Sequence, residues 1–133
     1  MKSSEITLIG QYIKDLSFEN PMAPNLPSQN KNPTVNLDIN TTYFDLKKDI
    51  HEVTLKIKST ASIDKDVIFI IELQYAGLIK CIIKDEEDKK KLIITGSYLL
   101  FPYARSIISN TTMEGGFKPL VIQPIEFESM SQK

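Results

Sequence analysis

The sequence is poor in the residues that most often carry chemistry. It has one cysteine, Cys81, one histidine, His51, and no tryptophan among its 133 residues. A lone cysteine has no partner for an internal disulfide, so the sequence predicts a reduced, cytosolic setting. No cysteine, histidine and carboxylate set has the spacing of a metal site. The sequence therefore predicts a structural or solvated role for His51 rather than a ligand, and a core position for Cys81 rather than a nucleophile.

Glycine and long apolar runs are also scarce. The chain has five glycines, and its Gly115-Gly116 pair follows a predicted helix instead of preceding one, so no phosphate-binding loop is predicted. The longest apolar run, residues 67–71, is broken by Glu72 and is far shorter than a membrane span. The first residues lack the apolar core and cleavage site of a secretory signal. We expect a soluble protein without ATP-driven chemistry or direct membrane insertion.

Neither sign of charge dominates the chain. Sixteen basic and seventeen acidic side chains leave a formal net charge of -1. No global basic field therefore favours nucleic acid or an anionic membrane surface as a partner. The length fits a single domain over residues 1–133.

Alternating hydrophobicity predicts several strands. Residues 6–19 are mostly apolar at even positions, which places Asp15 and Glu19 together on the polar face. After a proline-rich crossover, residues 35–39 alternate as a short edge strand or as an extended arm lying on the domain. Residues 53–57 and 67–75, joined by a polar turn, predict a hairpin. Ala76-Gly77 interrupts this pattern before another predicted strand over residues 78–83.

Two helices and an extended end are predicted for the remainder. Residues 85–91 place acids before bases, which suits a helix start, and they are better explained as a solvated helix face than as a docking surface. One side of this helix would carry Leu92, Thr95, Gly96 and Leu99. Pro102 predicts the start of a second helix, which ends at Gly115-Gly116. Residues 117–127 then predict extended chain, followed by a terminal helical turn.

Three motifs are the most specific stretches of the sequence. They are Phe18-Glu19-Asn20-Pro21 with Ala23-Pro24, Leu100-Phe101-Pro102-Tyr103-Ala104-Arg105, and Gly115-Gly116-Phe117 with Pro119, Pro124 and Phe127. With these motifs, the chain from residue 11 to residue 127 resembles the SecB family of protein-export chaperones. The resemblance implies an α+β fold with a four-stranded antiparallel sheet and helices packed on one face, assembled as a dimer of dimers.

The resemblance also implies a function. Members of the family are ATP-independent holdases, not enzymes, and need no cofactor. They bind unfolded precursor proteins in the bacterial cytoplasm through apolar grooves and deliver them to the translocation motor SecA. The alternative is a SecB-like chaperone dedicated to an antitoxin of a toxin-antitoxin pair. A small enzyme or ligand-binding domain on the same scaffold is disfavoured, because no acid, base or metal constellation is present.

Site residues follow from the resemblance by position. The predicted SecA-binding residues are Asp15, Glu19, Ile70 and Glu72, although composition alone would make the three acids ordinary surface carboxylates. Their retention favours export over the antitoxin alternative. Positions that govern assembly of dimers into a homotetramer match Ile71, Leu73 and Tyr75. Client-binding candidates, each equally an ordinary core residue, are Val35, Leu37, Tyr43, Phe44 and Phe101.

The chain departs from the family pattern in several places. The region between Lys89 and Phe101 is shorter and lacks a Cys-Pro pair. Glu114 stands in place of arginine and Glu126 in place of asparagine. We also expect a shortened C-terminal end, with little of the terminal helix and none of the acidic tail.

Overall fold

The computed structural model describes residues 5–25 and 31–130. The elements are β1 (Thr7–Glu19), β2 (Thr34–Lys47), β3 (Ile50–Ile63), β4 (Asp66–Lys80), α1 (Glu86–Glu114) and a 3-10 turn (Phe127–Ser129). The four strands form one antiparallel sheet in the order β1-β4-β3-β2, so β1 and β2 are its edges. The long helix α1 packs across one face. The predicted sheet is confirmed, with one helix in place of several.

The predicted hairpin forms the centre of the sheet. Every odd residue of β3 from His51 to Ala61 is buried, and each lies opposite a buried odd residue of β4 between Phe69 and Ile79. The chain reverses at Asp64, whose φ of 56° is a left-handed conformation that aspartate tolerates. The facing rows form the main core layer beneath α1.

β4 is one continuous strand, so the predicted interruption at Ala76-Gly77 is wrong. Gly77 keeps its pairing with both neighbouring strands. A Cβ at Gly77 would lie 3.0 Å from Cδ2 of Leu100 and 3.2 Å from Cδ1 of Leu8. The absence of a side chain at Gly77 lets α1 approach the sheet closely. The strand ends at Lys80 instead of continuing to residue 83.

β1 has two irregularities in its pairing with β4, at residues 9 and 14. An extra residue in one strand shifts the following side chains to the other face. Ile13 and Leu16 therefore lie on the helix side of the sheet, whereas Tyr12 lies on the opposite side. The even-odd pattern predicted for residues 6–19 is wrong at Tyr12 but correct for Asp15 and Glu19.

β2 is a full edge strand, paired with β3 from Thr34 to Lys47. Of the two alternatives for residues 35–39, the strand is found, and it is longer than predicted. Within the crossover that precedes it, residues 26–30 lie outside the described residues. On one side of that gap, Asn20 Nδ2 donates to the carbonyl oxygen of Gly115 at 3.0 Å. On the other side, Lys31 Nζ lies 2.7 Å from Asp64 Oδ2.

α1 is a single helix of 29 residues, so the predicted second helix start at Pro102 is wrong. A proline inside a helix costs about 3 kcal/mol, because it loses a hydrogen bond and its ring clashes with the preceding turn. Pro102 itself is exposed, while Leu100, Phe101 and Ala104 around it are buried. Packing of these neighbours against the sheet outweighs the loss. The predicted helix face is correct at Leu92 and Gly96, but its later part is formed by Leu100 rather than Leu99, which is 39% exposed.

The helix begins and ends at the predicted signals. The side chain of Asp85 accepts a hydrogen bond from the backbone N–H of Asp88, and Gly115 is the C-terminal cap. Residues 118–126 have no regular structure, as predicted, and they return along the helix. Ser109 Oγ donates to the carbonyl oxygen of Leu120 at 2.6 Å, and the Phe127 ring packs edge-on against Phe101.

By length and composition, α1 is apolar enough to cross a membrane. It instead completes the core of the sheet, because Leu92, Leu100 and Ile108 are fully buried against the strands and the terminal segment. We therefore describe α1 as a core helix.

Candidate docking surfaces

The sheet has a covered face beneath α1 and an opposite face, here called the open face. Residues directly paired in antiparallel strands share a face, so the register defines rows across the sheet. One row of the open face contains Ser17, Glu72, Lys58 and Asp38, from β1 to β2. The neighbouring row contains Asp15, Gln74, Lys56 and Asn40.

The four predicted SecA-binding residues lie together on this open face. Glu19 pairs with Ile70, and Glu72 and Asp15 occupy the next two rows. The three carboxylates are exposed and Ile70 is half-buried. We call Asp15, Glu19, Ile70 and Glu72 the acidic stripe. Three carboxylates beside an aliphatic side chain can bind a basic segment that also carries an apolar residue.

A second polar cluster occupies another part of the open face. Tyr12 Oη donates to Glu52 Oε2 at 2.7 Å, and Lys14 Nζ lies 2.9 Å from Glu52 Oε1. Burial opposes ionisation of Glu52, but the two hydrogen bonds prevail and lower its pKa. Burial, together with the bond to Glu52, raises the pKa of Tyr12 to about 12. Lys14 is therefore paired with Glu52, although its neighbour in the chain is Asp15.

The residues predicted to govern assembly lie on the helix side. Ile71 and Leu73 are 0% and 1% exposed, so they belong to the protomer's own core. Tyr75 is also largely buried, and its ring stacks on Tyr103 with centroids 6.4 Å apart. Tyr103 is 51% exposed. Of the three predicted positions, Tyr75 alone contacts an exposed side chain, that of Tyr103. Any effect of Ile71 or Leu73 on assembly is therefore expected to act through packing of the protomer.

The structure does not bring the client-binding candidates into one groove. Val35 and Leu37 are partly exposed on the helix side of β2, and Tyr43 lies further along the same side. Phe44 is on the open face and is 61% exposed. Phe101 is buried against Phe127. A single surface can include Val35 and Leu37, but it cannot also include Phe44 and Phe101.

His51 has a structural role, one of the two predicted alternatives. Its Nε2 lies 2.8 Å from the carbonyl oxygen of Cys81, which can only accept, so Nε2 carries a hydrogen. Its Nδ1 lies 2.5 Å from Asp45 Oδ1, to which Tyr43 also donates. The hydrogen bonds from Tyr43 and then His51 lower the pKa of Asp45. This network joins β2, β3 and the end of β4.

Cys81, the remaining candidate for chemistry, lies in surroundings that disfavour reaction. Cys81 is buried in the core, and burial raises the pKa of its thiol, which disfavours the thiolate. In residues 5–25 and 31–130, no group of three histidine, cysteine or acidic side chains is arranged to hold a metal ion.

Sequence reasoning missed two lysines next to the acidic stripe. Lys58 pairs directly with Glu72, and Lys56 pairs with Gln74 in the next row. The alternation of β3 was a sufficient signal that both lysines share a face. Their position beside the stripe depends on the register between β3 and β4, which local sequence does not contain.

An exposed acidic stripe on the open face, with apolar side chains exposed elsewhere on the strands, is the kind of surface that suits contact with another polypeptide. The fold is shared with a SecB-like chaperone of Mycobacterium tuberculosis, solved in complex with an antitoxin peptide. That structure matches with a TM-score of 0.78 at 14% sequence identity over 93% of each chain. The family model described as "Preprotein translocase subunit SecB" matches residues 1–133. The chain belongs to the SecB family.

Curated relatives agree with this assignment. A protein-export protein SecB of Wolbachia pipientis is 38% identical over 153 aligned positions, covering 100% of this chain and 91% of that protein. One of Rhodopseudomonas palustris is 40% identical over 125 positions, covering 92% of this chain and 79% of that protein. One of Nitrobacter hamburgensis is 39% identical over 130 positions, covering 96% and 82%. The predicted family is therefore confirmed, and it is not a family of enzymes.

Proposed function

We propose that this chain is an ATP-independent holdase of the bacterial cytoplasm, which binds unfolded precursor proteins and delivers them to SecA as a homotetramer. Membership of the SecB family and the export names of its relatives support this reading over a chaperone dedicated to an antitoxin. The observation that carries SecA docking is the acidic stripe, in which the strand register gathers Asp15, Glu19, Ile70 and Glu72 on one exposed face.

Docking at the acidic stripe is electrostatic with an apolar contribution. The family resemblance implies that the SecA tail is basic, so it complements the three carboxylates. Each exposed ion pair contributes up to about 1 kcal/mol, and screening by salt reduces it. Ile70 adds apolar contact beside the charges. Binding of moderate strength that weakens with salt is the expected result.

Client holding requires a different kind of surface. Unfolded chains expose apolar side chains and free backbone groups, so burial on adaptable apolar surfaces can bind many sequences. Val35 and Leu37 on β2, and Ile13 and Leu16 on β1, are partly exposed on the helix side of the sheet. A tetramer multiplies such surfaces, and weak contacts with one long client then add through effective concentration. Docking and holding therefore use opposite faces of the sheet.

Charge reversal at Glu72 tests whether SecA docking and client holding use different faces of the sheet. We expect Glu72→Lys to abolish measurable binding of a SecA tail peptide in calorimetry, because it removes one attraction and adds a repulsion. The same variant is expected to suppress aggregation of a non-native precursor as well as the unchanged protein does, without nucleotide. Glu126→Lys is the matched control, since Glu126 is exposed in the terminal segment and lies outside the stripe.

Each alternative gives a different result. If precursor aggregation proceeds unchanged at excess protein, the holdase reading is wrong. If a folded Glu72→Lys protein loses both activities, docking and holding are not separate. Suppression of aggregation by the unchanged protein without any binding of the SecA peptide contradicts the export role and favours a dedicated client.

A further inference from the structure

Lys58 lies between two carboxylates on the open face. The register pairs it with Glu72 on β4 and with Asp38 on β2. Side chains opposite each other in antiparallel strands have Cβ atoms about 5 Å apart. Lys58 and Glu72 are both exposed, yet within the part of the chain that the structure describes Lys58 makes no ion pair within 4.0 Å. Lys58 and Glu72 are therefore cross-strand neighbours that are not held together as an ion pair.

The other lysines of this face differ in their relation to the acidic stripe. Lys56 occupies the next row of β3 and faces Gln74, so it continues the positive charge along the β3 side of the stripe. Lys14, beside Asp15 in the chain, is paired with Glu52 at 2.9 Å. Among the described lysines that neighbour the stripe, the positive charge without an ion pair therefore comes from the β3 side.

We propose that Lys58, assisted by Lys56, is the electrostatic border of the docking surface and sets the affinity of the acidic stripe for a basic segment. This inference rests on the proposed function of the stripe. Lys58 competes with an incoming cation for Glu72 and repels the part of the segment that would spread over β3. The occupant is thereby confined to the β1 and β4 side of the open face.

The dimensions of the stripe fit a short extended segment. From Asp15 to Glu19 the strand advances four residues, which is about 13 Å at about 3.3 Å per residue. A basic segment of about four or five extended residues spans this distance. Lysine or arginine side chains of the segment would face the carboxylates, and one apolar side chain would contact Ile70.

Neutralising Lys58 tests the border. We expect Lys58→Gln to tighten binding of a hexalysine peptide and of a SecA tail peptide about two- to fivefold at low salt, the range of one exposed charge interaction. The gain should vanish at about 1 M salt, where the screening length is about 3 Å. Lys80→Gln is the matched control, because Lys80 is an exposed lysine eight residues, or about 26 Å, from Glu72 along β4.

The same substitution in a Glu72→Gln protein tests whether Lys58 acts through Glu72. In a Glu72→Gln protein, the gain from Lys58→Gln should shrink, because the lysine no longer competes for that carboxylate. Equal affinities of the Lys58→Gln and Lys80→Gln proteins for both peptides would refute the proposal that Lys58 sets the affinity of the acidic stripe. So would failure of both peptides to bind any variant. If the SecA peptide does not bind while hexalysine binding changes as expected, the role of Lys58 is supported and SecA is the wrong partner.

Discussion

Leu73 was predicted to govern assembly, but its burial indicates that its substitution will first affect packing within the protomer. Leu73 is 1% exposed beneath α1, on the same side of the sheet as Leu16. Truncation of a fully buried leucine to alanine costs about 3–5 kcal/mol, because the transfer free energy is lost and a cavity remains. At about 0.05–0.15 kcal/mol per residue, a chain of this length has a total stability of about 7–20 kcal/mol. Leu73→Ala should therefore remove a large share of it.

The assay compares unfolding with assembly. Urea unfolding followed by circular dichroism should show the loss for Leu73→Ala, with a fall of about 10 °C or more in the melting temperature. The comparison variant is Tyr103→Ala, whose ring is 51% exposed and should matter much less for the protomer. Analytical ultracentrifugation of both variants then reports the oligomeric state. A Leu73→Ala protein that keeps its unfolding free energy but dissociates would refute the reasoning, because Leu73 would then act directly at an interface.

Two further predictions concern α1 and the open face. Gly77→Val should lower the free energy of unfolding by about 1–3 kcal/mol in urea, because the added side chain overpacks against Leu100; an unchanged midpoint would contradict the close approach of helix and sheet. Glu52→Gln should lose stability at neutral pH, because hydrogen bonds from Tyr12 and Lys14 lower the pKa of Glu52 in the folded state. The stability that ionised Glu52 contributes is complete above its ordinary pKa of 4.5 and is lost as the pH falls through the lower pKa of the folded state. The difference in urea midpoint between the unchanged protein and Glu52→Gln should therefore narrow below pH 4.5, and a difference that widens there would contradict the argument.

Local pattern predicted the elements that depend on local chemistry. The alternation of β3 gave its buried face, the acids near Asp85 gave the start of α1, and Gly115 gave its end. The errors occurred where a contact distant in sequence decided the outcome. Pro102 stays inside a helix because its buried neighbours pack against the sheet, and Gly77 stays inside a strand because Leu100 requires the space.

For the predicted docking residues, too, local pattern predicted part of the arrangement and contacts distant in sequence decided the rest. Asp15 and Glu19 share a strand face, and Ile70 and Glu72 share another, by the period of a strand alone. That the two pairs lie side by side depends on the register of β1 against β4, including two irregularities that the sequence did not reveal. The client candidates were separated for a similar reason, since the adjacent residues Tyr43 and Phe44 lie on opposite faces of β2.

The sequence by itself determined the family of this protein, the polar and apolar faces of its central strands and the absence of a recognisable catalytic motif. These properties are carried by residue identity and by short-range periodicity. Only the tertiary structure decided that α1 is one helix, that Leu73 is core, and that Lys58 borders the acidic stripe. Each of these depends on packing or register between segments far apart in the chain, and such contacts exist only after the sheet has formed.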